Sequence, residues 1–307
     1  MPPAPLLIVI AGPTAVGKTS VAIDVALHLG CDIISADSRQ FYNDLKIGTA
    51  APSAEQLGLV KHHLVGQLSL NERYDVSKYE TEVLNLLPSL FSQKPCAVLT
   101  GGSGLYIQAV CEGLDDLPDS DPQIRKDLRE TYELEGIASL RAMLKKLDPE
   151  YFASVDPANP NRLLRALEVC LTTGKPFSSF RKKEAAARDF NILKIGLDLP
   201  RAELHNRIND RVDQMMADGL ETEARNFYPQ RHLNALNTVG YKELFDYFDG
   251  NCSQIEAIEK IKTNTRRYAR RQLTWFHRDK EMIWCNPVSR EVIAMIDNFL
   301  ADQVKDI

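Results

Sequence analysis

An apolar run, Leu6 to Ile10, leads directly into "AGPTAVGKTS", in which Gly12, Pro13, Thr14, Ala15, Val16, Gly17, Lys18 and Thr19 fit G-x-x-x-x-G-K-[ST]. This pattern leaves few folds open. It requires a buried strand, a tight loop whose backbone amides face an anion, and a helix whose N-terminus adds its partial positive charge. Lys18 supplies a point charge for phosphate, and Thr19 a hydroxyl that can hold Mg²⁺ against the phosphate oxygens. The loop type is that of ATP and GTP binders, yet a diphosphate presents the same oxygens, so the loop alone specifies phosphate and not nucleotide.

Further strands alternate with helical segments. "CDIIS" at 31–35 and "CAVLT" at 96–100 read as strands, a helix runs from Lys18 to Leu29, and Gly30 stops it. Strands separated by helices predict an α/β fold: a P-loop NTPase-like parallel sheet with helices on both faces. From Pro118 to about Arg188 only helical patterns occur, over 122–134, 137–147 and 160–173, the last with Asn159 as N-cap, Pro160 in the first turn and Gly174 as stop. The expected organisation is a P-loop-type catalytic core of residues 1–117 and 189–307, interrupted by a mostly helical insertion domain of residues 118–188. "NILKIGLDLP" at 191–200 returns to the sheet, and "MIWC" adds a last strand.

A chain of 307 residues with 44% hydrophobic and 26% charged residues can bury a sizeable core. No run of about eighteen apolar residues and no signal peptide are read, so the expected location is the cytoplasm, with no membrane partner. The six cysteines carry no C-x-x-C pair, which favours free buried thiols over a zinc site or disulfides. The net charge of −5 disguises a basic helix, "IEKIKTNTRRYARRQLTWFHR" at 258–278, with seven Lys and Arg against Glu259. Ile258, Ile261, Thr265, Tyr268, Ala269, Gln272 and Phe276 share one side of it, and the arginines spread over the other.

Ligands of open parallel sheets bind beyond the carboxyl ends of the strands. There the second strand presents Asp37 and the third presents "TGGSG", from Thr100 to Gly104. A phosphate-loop hydrolase needs an acid at such a strand end, and Thr100 stands in that place, so the hydrolytic set is incomplete. Asp37 opposite the phosphate loop can take a proton from a nucleophile attacking carbon, or it can simply cap a turn. The glycines after Thr100 let backbone approach a ligand, and Ser103 can hydrogen-bond the bridging oxygen of a departing diphosphate.

Together "GPTAVGKT", "SADSRQFY", "KIGTAAP", "HHLV", "LTGGSGLYIQAV", "NPNRLLRALEV", "LHNRINDRVDQMMADGLETEA", "TVGYKEL" and "NTRRYARRQLTWFHR" resemble the bacterial-type tRNA dimethylallyltransferase (tRNA isopentenyltransferase) family, in family order over nearly the whole chain. The resemblance implies transfer of a dimethylallyl group from dimethylallyl diphosphate to N6 of adenosine 37 in the anticodon stem-loop of tRNA. It assigns Gly12 to Thr19 and Arg211 to the diphosphate, Thr19 to Mg²⁺, Asp37 as base and Ser103 as the hydroxyl beside the leaving oxygen. It assigns Asp37, Ser38, Arg39 and Gln40, Arg125, and Asn161, Arg162, Leu163, Leu164 and Arg165 to tRNA, and it implies a monomer. The chain departs from the family pattern at Lys46 and Ala51, which flank Ile-Gly-Thr-Ala, and at Gly66 after His-His-Leu. His62 and His63 read as structural. The alternatives are an adenylate isopentenyltransferase acting on free nucleotide, a P-loop small-molecule kinase, and a noncatalytic RNA-binding module.

Overall fold

The computed structural model describes residues 4–72, 74–115, 117–118, 121–181 and 185–305. In chain order, the first part contains β1 (Leu6–Ala11), α1 (Lys18–Leu29), β2 (Ile33–Ser35), α2 (Ala54–Leu59), β3 (His62–His63), α3 (Val76–Gln93), β4 (Cys96–Gly101) and α4 (Gly104–Glu112). Four helices follow: α5 (Pro122–Glu135), α6 (Ile137–Leu147), α7 (Pro149–Ser154) and α8 (Pro160–Thr173). The chain then returns through β5 (Asn191–Leu197), α9 (Arg201–Ala217), α10 (Leu220–Phe227), α11 (Tyr241–Phe248), α12 (Gln254–Phe276), β6 (Ile283–Cys285) and α13 (Ser289–Lys305). Two compact units result, Met1–Glu112 with Ala187–Ile307, and Gly113–Ala186.

In the first unit all strands run parallel in the order β3-β2-β4-β1-β5-β6. Strand β1 is buried throughout because both its faces are covered, and its period of two sends alternate residues to opposite cores. Leu7, Val9 and Ala11 join the larger core with Tyr79, Leu87, Val110, Tyr241 and Ile261, while Leu6, Ile8 and Ile10 pack with Val21, Val25, Ile208 and Val292. Each such aliphatic side chain contributes roughly 1.5–3 kcal/mol by leaving water. Strand β5 pairs with β1 from Leu6 opposite Asn191 to Ala11 opposite Gly196, so the segment after the helical part lies between β1 and the edge strand β6. Lys194 of β5 is buried and is neutralised by Glu112, Asp279 and Glu281 at 2.8–3.1 Å.

The second unit is helical among its described residues, with its own core of Leu128, Leu140, Leu144, Leu163 and Leu167. The Asn159 side chain accepts from the Arg162 N–H at 3.2 Å and Gly174 ends α8 at φ +68°, as the capping pattern requires. Among the described residues no helix is long and apolar enough to cross a membrane. Of the six free cysteines, Cys31, Cys96, Cys111 and Cys170 are buried, and Cys252 and Cys285 are half-buried.

Candidate active site

The ends of β1, β2 and β4 open on one cavity of about 500 Å³, lined by Thr14, Lys18, Thr19, Asp37, Thr100, Arg211, Tyr268, Arg271 and Gln272 among others. Gly12 leaves β1 at φ +154°, and a Cβ there would lie 2.6 Å from the Leu197 carbonyl, so only glycine lets the loop turn beside β5. Gly17 at φ +110° precedes α1, whose first residues are Lys18 and Thr19. The lysine ammonium folds back to donate to the Pro13 carbonyl at 2.7 Å. Burial lowers its pKa to about 8, with Asp37 pulling it up and Arg211 pushing it down.

The phosphate loop is braced from outside. Arg211 of α9 reaches the Thr14 hydroxyl at 3.5 Å, and Arg207, which the sequence reading did not single out, donates to the Val16 carbonyl at 3.2 Å. Arg207 and Arg211 are four apart on α9, so one helix face carries both. Gln272 of α12 accepts from the Thr14 N–H at 2.9 Å and donates to the Gly102 carbonyl at 2.9 Å.

Asp37 sits just past β2. Its Oδ1 accepts from the Arg39 N–H at 3.0 Å, and among the described residues Oδ2 takes no hydrogen bond. The Ser103 hydroxyl accepts from the Ser38 N–H at 3.0 Å and lies 3.2 Å from the Ser38 hydroxyl, so the third strand-end loop holds the Asp37 turn. Thr100, where a hydrolase would carry an acid, donates its hydroxyl to the Ile10 carbonyl at 3.0 Å and ties β4 to β1.

Of the glycines after Thr100, Gly101 lines the cavity, and all three are also closely approached by protein. A Cβ on Gly101 would lie 2.2 Å from the Ala36 carbonyl oxygen, on Gly102 2.2 Å from Gln272 Nε2, and on Gly104 2.1 Å from the Trp275 ring. Their small size admits β2 and α12. A second brace comes from Glu223, whose carboxylate accepts from the N–H groups of Lys46, Ile47 and Gly48 at 2.9–3.1 Å and from the Tyr241 hydroxyl at 2.6 Å. The 46–52 loop, with its departures Lys46 and Ala51, is thereby fixed through backbone, and Gly48, Thr49, Ala50 and Pro52 line the cavity. Gly66 lies at φ +61° and donates its N–H to the Gln40 carbonyl at 2.9 Å. His63 bonds Asp32 at 2.8 Å and His62 bonds the Val60 carbonyl at 2.8 Å.

Several residues assigned to RNA have internal partners. The Arg39 guanidinium donates to the carbonyls of Asn234, Ala235 and Asn237, and the Gln40 amide to those of Thr49 and Ala50. In the helical unit Leu163 and Leu164 are buried, so their side chains fill its core and are not offered to a partner. Arg125 and Arg165 flank the buried Glu168 carboxylate at 3.3 and 3.4 Å. Asn161 and Arg162 are exposed on α8.

The model of the family described as IPP transferase matches residues 40–279. This chain belongs to the IPP transferase family. It is 52% identical to tRNA dimethylallyltransferase 2 of Parabacteroides distasonis, over 94% of this chain and 96% of that protein. Its identity to tRNA dimethylallyltransferase 1 of Bacteroides fragilis is also 52%, over 94% and 95% of the two chains. The solved full-length tRNA isopentenylpyrophosphate transferase of Bacillus halodurans superposes with a TM-score of 0.71 at 36% identity, covering 98% of this chain and 97% of that one. A eukaryotic dimethylallyltransferase acting on tRNA has the same fold, with a TM-score of 0.83 at 24% identity over 97% and 80% of the chains. As an IPP transferase family member the chain is a prenyl-transferring enzyme.

Proposed function

We propose that the chain transfers the dimethylallyl group of dimethylallyl diphosphate to the exocyclic N6 of adenosine 37 in tRNA and releases diphosphate. The observation that carries this reading is the convergence of phosphate loop, Asp37 and Thr100 on one cavity, in a chain half identical to proteins named tRNA dimethylallyltransferases. N6 attacks C1 of the prenyl group, the C1–O bond breaks, and Asp37 takes the N6 proton. Loop amides, the N-terminus of α1, Lys18 and Arg211 stabilise the charge gathering on the diphosphate. Ser103 supports the leaving oxygen as well as the Asp37 turn.

Mg²⁺ suits this site. It needs few protein ligands when substrate oxygens and water supply the rest, and the Thr19 hydroxyl lines the cavity. Among the described residues no group of three His, Cys, Asp or Glu could hold a metal alone. Thr19 would hold the ion, whose chemistry is neutralisation of diphosphate charge.

For tRNA, extruding the target adenine costs on the order of a few kcal/mol, recovered through contacts to backbone and neighbouring bases. We assign those contacts to the 118–188 insertion, through exposed Asn161 and Arg162 with Arg125 and Arg165, and to the Asp37–Gln40 turn. Mass spectrometry of nucleosides after incubating purified protein with dimethylallyl diphosphate and unmodified tRNA tests the proposal. Prenylated adenosine at position 37 is expected; product from AMP alone would transfer the chain to the free-nucleotide class.

A further inference from the structure

Gln272 is the polar member of the buried set of α12, whose other residues are Ala257, Ile261, Ala269 and Phe276. A buried amide is tolerated only when its donor and acceptor are both used. Its partners here are the Thr14 N–H in the phosphate loop and the Gly102 carbonyl in the loop after β4, each at 2.9 Å. One side chain therefore ties together three elements that line the cavity.

Two further contacts give this bridge a direction. Thr14 is held on both sides, its N–H by Gln272 and its hydroxyl by Arg211. Ser103, next to Gly102, bonds the turn that carries Asp37. A shift of Gln272 therefore moves the anion-binding loop relative to the strand end that supports the base. Gly102 is shaped for the amide, since a Cβ there would lie 2.2 Å from Nε2.

We infer that Gln272 is a positioning residue for the diphosphate, setting the phosphate loop at its working distance from the Gly102–Ser103 loop. The inference rests on the reading that the phosphate loop holds the diphosphate of the prenyl donor. Gln272 itself does no chemistry. It keeps the Thr14 amide turned to α12, so that the amides after it point at the anion as one rigid set.

The test is a double-mutant cycle on the full chain with Gln272→Ala and Gly102→Ala. In Gln272→Ala the KM for dimethylallyl diphosphate rises about tenfold, the effect of two lost hydrogen bonds of ordinary strength. The Kd for tRNA stays within about twofold. In Gly102→Ala the added methyl displaces the amide and KM rises comparably. In the double variant the clash is gone, and KM is no worse than in Gln272→Ala alone. Isothermal titration with dimethylallyl diphosphate, and separately with inorganic diphosphate, gives the binding terms, and melting temperatures report folding. An unchanged KM and diphosphate affinity in a folded Gln272→Ala protein would overturn the inference, as would strictly additive effects in the cycle. A variant that melts lower yet keeps wild-type KM below its transition likewise reduces Gln272 to a core-packing role. Failure of the wild type to bind inorganic diphosphate or the prenyl donor would instead refute the diphosphate reading itself.

Discussion

The Tyr241 ring occupies the space that a Cβ on Gly48 would need, with its nearest ring carbons 2.6 Å from that position. The Tyr241 hydroxyl also donates to Glu223, the carboxylate that gathers the amides of the same loop. Ring and carboxylate thus clamp one cavity wall from two directions. We expect Gly48→Ala to lower kcat/KM by tenfold or more, because a fully buried ring has nowhere to go. Tyr241→Phe keeps the ring and loses one hydrogen bond, about 1 kcal/mol. Amide exchange at Lys46, Ile47 and Gly48 should accelerate in Glu223→Ala; unchanged protection there would dismiss the clamp.

Asp37→Asn preserves the turn, since an amide oxygen can still accept from the Arg39 N–H. Proton removal is lost. The expected result is a fall in kcat of about 10²–10⁴ with tRNA and prenyl-donor affinities nearly kept. Full turnover by this variant in single-turnover assays would exclude Asp37 as the base.

Lys18 is a cation whose folded pKa, about 8, lies below its ordinary value of 10.5. The sign follows directly: burying the charge costs stability on the order of 3 kcal/mol at neutral pH, and that cost fades as pH climbs from about 8 to about 10.5. Lys18→Met should therefore melt higher than the wild type at pH 7 while losing diphosphate binding. The wild type should bind the prenyl donor less tightly above pH 8, as Lys18 gives up its proton. A flat affinity between pH 7 and 9.5, measured by titration calorimetry, would contradict this.

Arg162 is exposed on α8. If it meets an RNA phosphate, Arg162→Ala weakens tRNA binding and lowers the salt slope by about 1, while KM for dimethylallyl diphosphate stays put. Filter binding across a salt series measures the slope; an unaltered slope removes Arg162 from the interface.

Much of the core was legible because each signal is local. The phosphate loop needs eight consecutive residues, and β1, β4 and β5 are apolar runs that announce burial on both faces. Strand β3 was missed: two histidines have no hydrophobic period, and they pair with β2 only because the preceding chain brings them there. Glu223 gave no signal, since its partners lie far away in sequence and are backbone amides, which any residue type supplies. Gln272 was placed on the correct side of α12, yet its two partners, Thr14 and Gly102, lie far from it and from each other in the chain. Gly101, Gly102 and Gly104 were read for ligand access alone, while each also makes room for neighbouring protein. A missing side chain shows that something comes close, and only the fold says whether it is a ligand or the protein itself.

The position of β5 beside β1 bears on how the chain is made. Until Asn191–Leu197 leaves the ribosome, β1 has β4 on one flank and an open, wholly apolar edge on the other. Roughly ninety residues separate β4 from β5, so at about 5–20 residues per second that edge waits on the order of 5–20 s. Unpaired edges of this kind recruit other chains. The nascent protein thus passes through a window in which the strand that carries the phosphate loop has one adhesive flank, and the arrival of β5 closes it.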